Sequence, residues 1–417
     1  MTTTAAESGV RARVSPMSPL RHAAYRTLWF AQFGTVVGSW MQVVGAQWLL
    51  VGRPNAASLV ALVQAASMLP VLFLAIPAGA IADNQDRRWL LAGAQATMAT
   101  VGVVLALLTA GPGVRPEVLL LLTLLLGCGS ALSMPTWSAM TPDLVPQSEL
   151  RSAAALTGIS MNLARAVGPA VAGTLISLAG VPVVFALSAA AYAVMAWLVA
   201  TRGVSALNPV GDREGLLSSV RAGVRFIRGS RLTRRILLRA TLFVVPGSIL
   251  WALLPVVAAQ RLLLSSTGYG LLLAAAGLGA VLGAWLLPRL DGRMSGSSLI
   301  ALASVVLSSC IVTLGLTNEA WAGAVALVTA GAAWLLVLAH LGAILQITLP
   351  RWVRARGLAA YQVVFLGGQG LGSLIWGSGA DCAGLELTLF VAGATTLAGA
   401  GTLGCWPLTA VDKETNA

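Results

Sequence analysis

One arginine stands apart from the other charged residues of this chain. Arg165 falls about halfway along an apolar stretch of residues 152–178, while no Asp or Glu occupies the middle of any such stretch. In hydrocarbon an unpaired charge costs at least ~2.5 to 3.5 kcal/mol on insertion scales, so Arg165 requires a partner. A polar side chain, a backbone carbonyl, water or an anionic ligand can serve. In one reading Arg165 ties its helix to its neighbours; in the other Arg165, with Asn162 one turn earlier, binds an anionic group on a small molecule.

A second set of polar residues, Gln32, Thr35, Ser39 and Gln42, recurs at helical spacing. Facing lipid, their amides and hydroxyls would go unsatisfied, so the stripe is expected to line a central cavity. Trp251 and Trp334 suit adaptable apolar recognition, although packing or interfacial anchoring is the better explanation for any one such aromatic. Ser130, Met134 and Ser248 are weaker cavity candidates. His340 is the only histidine inside an apolar stretch and changes charge near neutral pH, which makes it a candidate proton carrier beside Asp83; a hydrogen-bonded neutral histidine is the alternative. No nucleophile with a base, no GxxxxGK[ST] phosphate loop and no paired cysteine or histidine spacing occurs, so catalysis, direct ATP use, cofactors, metals and disulfides are not expected.

The elements that must hold these residues are set by composition. Hydrophobic residues make up 57%, charged residues only 10%, and the mean hydropathy is +0.85, more apolar than one soluble core could hide. Twelve apolar runs long enough to cross a ~30 Å hydrocarbon layer are read at 27–50, 56–82, 89–110, 117–140, 152–178, 181–201, 236–260, 268–288, 297–316, 320–349, 357–379 and 384–408. The net charge of +12 is confined to alternate loops: Arg87 and Arg88, Arg151, nine arginines from Arg202 to Arg239, Arg289 and Arg293, and Arg351, Arg354 and Arg356 fall on one side. Only Arg53, Arg115 and Arg261 fall on the other. That asymmetry predicts cytoplasmic termini and argues against nucleic-acid binding.

A constant offset of 204 residues pairs Gly79 with Gly283, Gly127 with Gly331, Pro146 with Pro350, Gly168 with Gly372 and Gly173 with Gly377. The chain therefore reads as a cytoplasmic tail (1–26), a six-helix bundle (27–201), a basic linker (202–235), a second six-helix bundle (236–408) and a short tail (409–417). In the linker, Leu216, Leu217, Val220, Val224 and Ile227 form an apolar stripe away from Arg221, Arg225 and Arg228. Such a helix either lies on anionic lipid headgroups or packs under the bundle.

Between the second and third runs, Gly79 to Arg88 reads GAIADNQDRR, which resembles the signature loop of the major facilitator superfamily. The resemblance implies that Asp83 caps the eleventh helix while Arg87 pairs with an acid near the fourth, for which Asp143 is the candidate, latching the outward-open state. NLARAVGPAVAG from Asn162, GSWMQVVGAQWLL from Gly38, PDLVP from Pro142 and GGQGLGSLIWG from Gly367 resemble the branch containing the enterobactin exporter and related drug and macrolide efflux proteins. Gly168-Pro169 resembles a degenerate antiporter motif of facilitator exporters.

Two departures limit the carry-over. Leu287 stands where the repeat expects a counterpart of Asp83, and Leu122 where many drug antiporters place an arginine. The expectation is an all-α membrane protein of the major facilitator fold, a monomer in a bacterial plasma membrane. It would export a siderophore, secondary metabolite or drug by alternating access with proton exchange; a non-transporting scaffold or sensor of the same fold is the alternative.

Overall fold

In lipid a backbone has no water to bond, so each crossing segment must satisfy its own N–H and C=O groups by coiling. The computed structural model describes residues 15, 17–111, 113–202, 229–291, 293–349 and 351–405. Twelve long helices run through them: α1 (Ala23–Leu50), α2 (Ala56–Asn84), α3 (Arg87–Ala110), α4 (Pro116–Leu144), α5 (Leu150–Ala179), α6 (Val181–Arg202), α7 (Arg231–Arg261), α8 (Ser266–Asp291), α9 (Gly296–Leu316), α10 (Ala320–Thr348), α11 (Arg351–Ala383) and α12 (Leu385–Cys405). Eleven of them are long and apolar enough to span a membrane. The exception, α1, has the length, 28 residues, but carries Gln32, Gln42 and Gln47 with Thr35 and Ser39, which lower its hydropathy because its partners are other helices. The amphipathic linker helix and the terminal tails beyond these limits lie outside the described residues.

Packing repeats with a period of six helices. In the first half α1 packs on α5 and α6, α3 on α4 and α6, and α2 on α4; in the second, α7 packs on α11 and α12, α9 on α10 and α12, and α8 on α10. The paired glycines explain the match. A side chain at Gly127 would collide with the Ala66 carbonyl on α2, and one at Gly331 with the Ala276 carbonyl on α8. One at Gly168 would strike Trp40 on α1, and one at Gly372 would strike Ser248 on α7. Small residues let these backbones meet.

The second half breaks the symmetry at α7, read in sequence as one continuous span. Three pieces replace it, Arg231–Gly247, Ile249–Val256 and a π-turn at Val257–Arg261. Pro246 and Pro255 each remove a backbone donor, and the fully buried Ser248 returns its hydroxyl to the Val245 carbonyl at 2.7 Å.

The halves meet through α2 on α11 and α5 on α8. Their described ties cluster at the end remote from the chain termini, called the far end below. There Ser266 and Thr267 donate to the Gly173 carbonyl at 3.0 and 3.3 Å, and a side chain at Gly377 would collide with Ala61. Toward the terminal end the face of α5 that meets α8 loses its cover: Asn162 is exposed, and a Cβ on Gly158 would meet nothing within 4 Å. The seam is closed at the far end and parts toward the termini.

Candidate functional site

Arg165 sits midway along α5, where burial makes its charge expensive. Its guanidinium lies over the Trp40 ring of α1, 5.6 Å from the centroid. Its Nε is buried without a hydrogen bond, and among the described residues no acceptor or carboxylate meets the group. A cation–π contact offsets part of the desolvation but leaves the planar donor fork unused. Asn162, exposed one turn earlier, donates to the Gly158 carbonyl of its own helix at 2.9 Å. Gly168 and Pro169 follow one turn later: Gly168 is packed on Trp40, while the Pro169 carbonyl meets Gly270 of α8. This turn of α5 therefore touches its own bundle on one face and the opposite bundle on another.

The polar stripe of α1 is placed differently from the expectation. Tyr192 of α6 donates to Gln42 Oε1 at 3.1 Å and shares a 3.0 Å hydrogen bond with Ser39. Thr35 and Gln42 are buried, and Thr35 donates to the Gln32 carbonyl at 2.8 Å. Gln32 Oε1 is buried without a partner. Ser39 and Gln42 thus face α6 inside the first bundle, not the seam. Helical spacing identified a polar face; it could not say which neighbour covers it.

In the second bundle Trp334 is buried and forms an aromatic cluster with Phe243 (5.4 Å), Trp251 (5.9 Å, edge to face) and Phe365 (6.4 Å). Trp334 and Ser248 are therefore core residues, while Trp251 is only partly buried and its Nε1 is shut from water without a hydrogen bond. Met134 is exposed and Ser130 partly buried. His340 packs against Gly296 at the start of α9, within its own bundle, so it does not stand on the seam.

At the terminal end Arg87 reaches Asp143 at 3.4 Å and the Ala139 carbonyl at 3.0 Å, the partner anticipated from the sequence. Gly79 and Asp83 fall within the range of α2, but their side chains lie outside the described residues.

Sequence reasoning missed the residues that close the far end. Tyr269 of α8, fully buried, donates to Gln47 Oε1 of α1 at 2.6 Å, and Trp48 stacks on its ring at 5.9 Å. Asp381 of α11 accepts from the Ser58 amide of α2 at 2.8 Å. Gln47 continues the α1 glutamines and was a detectable signal; Asp381 gave none beyond being a lone acid near a helix end.

Comparisons with known proteins extend this geometry. The family model for transmembrane secretion effectors matches residues 14–417. The staphyloferrin A transporter of Staphylococcus aureus is 24% identical over 310 residues, 70% of this chain and 77% of that protein. The multidrug efflux pump Tap of Mycobacterium tuberculosis is 26% identical over 214 residues, so this chain matches only about half (51%) of its length. Macrolide efflux protein A of Streptococcus pyogenes is 21% identical over 56% of this chain and 58% of its own. Among solved structures, a mutant of the nucleoside transporter NupG superposes with a TM-score of 0.75 over 92% of this chain and 99% of its own, at 12% identity. A bacterial homologue of the lysosomal transporter Spinster, inward-facing and unoccupied, gives 0.73 over 90% and 95% at 15% identity.

Proposed function

Because the chain belongs to the transmembrane secretion effector family of major facilitator transporters, and is a multi-pass membrane transporter rather than an enzyme, we propose that it exports a small, partly hydrophobic molecule bearing an anionic group. The observation that carries this reading is Arg165, a guanidinium at mid-depth with no acceptor among the described residues. A carboxylate, phosphate or similar group would satisfy its fork bidentately in a low-dielectric site. Trp40 braces the charge from behind, and the partly buried Trp251 offers the opposite half's apolar contact for the body of the cargo. Siderophores and anionic secondary metabolites fit; the names of the staphyloferrin and multidrug relatives support that range.

The arginine asymmetry supports both termini in the cytoplasm and the basic linker on anionic headgroups, and the bacterial relatives support a plasma membrane setting, in which the chain acts as a monomer in this scheme. On that orientation the parted end faces the cytoplasm, ready to load cargo for export. Alternating access then closes the terminal end, with Gly79 and Asp83 meeting α11 as the latch of the outward-open state, the Arg87–Asp143 pair bracing that loop within the first bundle, and Gly168-Pro169 as the crossing on which α5 rocks. Proton exchange is the energy source in this scheme, with Asp83 and His340 as the candidate carriers.

Comparing extracellular metabolites of cells with and without the protein tests the reading. An anionic, partly apolar compound should disappear from the medium on deletion and be restored by wild type, while Arg165→Ala restores less than about one tenth. If Arg165→Ala is inserted normally and restores every anionic compound in full, the anion reading fails.

A further inference from the structure

Helix α2 begins without a cap of its own. Its N-cap residue, Asn55, adopts a left-handed conformation (φ 56°) and makes no side-chain hydrogen bond to the first turn. The first backbone bond inside the helix runs from Leu59 to Asn55, so the Ser58 amide precedes it and has no acceptor in α2. The acceptor arrives from the other half of the molecule: Asp381, near the end of α11, takes the Ser58 N–H at 2.8 Å. A carboxylate there also faces the positive end of the α2 dipole.

We infer that Asp381 is a far-end latch of the transport cycle, a helix cap supplied across the two halves of the chain that exists only while the far end is closed. The cap is built to be broken. Asp381 is exposed, and a cavity of about 300 Å³ lined by Arg53, Asn55, Gln260 and Asp381 adjoins it, so water can replace the bond as the bundles separate. The deeper Tyr269–Gln47 bond and the Gly173 contacts align the same closure but are buried, and Asp381 is the charged member at the rim. When α2 and α11 part, α2 loses its cap, and the closed far end gains stability from that bond alone by a factor of about five in population, the scale of a single helix cap.

Spin labels on Arg115→Cys and Asn318→Cys, at far-end turns of opposite halves and with the native cysteines replaced, measure the closure in lipid nanodiscs. Asp381→Ala, which removes the acceptor, should raise the ratio of long to short far-end distances about fivefold. Ser58→Pro removes the donor at a first-turn position and should do the same, and the double variant should add little, since one bond is lost either way. Unchanged distances in Asp381→Ala, or full additivity in the double variant, would overturn the latch. If Ser58→Pro misfolds, Asp381→Ala decides alone. The inference rests on alternating access: a second label pair at Arg151 and Arg293, on the terminal end, must shorten as the far end opens. A terminal-end distance that stays fixed while the far end opens would count against alternating access and leave the cap intact.

Discussion

Arg165 and Tyr192 show how differently two polar groups at similar depth are used. Tyr192 bonds both Ser39 and Gln42 Oε1, whereas Arg165 has only an aromatic face beside it. Tyr192→Phe strands Gln42 Oε1 in a buried site and should cost about 1–3 kcal/mol of stability, seen as a lowered thermal midpoint in detergent. Export per folded molecule should stay at the wild-type level, because Ser39 and Gln42 face α6. Arg165→Lys keeps the charge but loses the fork, so it should retain transport with cargo affinity weakened about tenfold in a direct binding measurement. The need for a partner at Arg165 was legible from its place among apolar residues. The role of the α1 stripe was not, since periodicity marks a face and only the packing of α6 reveals what meets it.

Among the elements, the repeat was the most legible feature. Gly127 and Gly331, matched by a fixed offset in sequence, perform the same close approach in the two bundles. Gly127→Leu and Gly331→Leu should therefore destabilise alike, by about 1–3 kcal/mol or more, through collision with the Ala66 and Ala276 carbonyls. Gly158→Ala is the contrasting case: nothing lies within 4 Å of its added methyl, and it should stabilise α5 by about 0.5–1 kcal/mol. Thermal unfolding of the three variants checks both statements. The break in α7 was hidden because an apolar run with two prolines reads as one span; it takes the buried Ser248 and the crowding of Gly247 by Trp334 to show where the helix yields. Asp381 was invisible for a related reason, as its acceptor role depends on an uncapped helix 323 residues away.

For the whole molecule, composition and periodicity sufficed for twelve helices in two related bundles, and the loop signature for the superfamily. What they could not supply was the relative placement of the halves, which decides where the seam is open. Closure at the far end puts Arg165 below the Tyr269–Gln47 tie and above an uncovered stretch of α5, a position from which an anion entering at the terminal end is met at mid-depth. The most direct test of that account is uptake into inside-out vesicles bearing the purified full chain, under an imposed pH gradient, of a radiolabelled anionic compound identified by the extracellular comparison. Wild type should accumulate it and Arg165→Ala, inserted at equal amount, should not. Equal accumulation by both proteins would contradict the assignment of Arg165, and no accumulation by wild type under a pH gradient or any other ion gradient would contradict export itself.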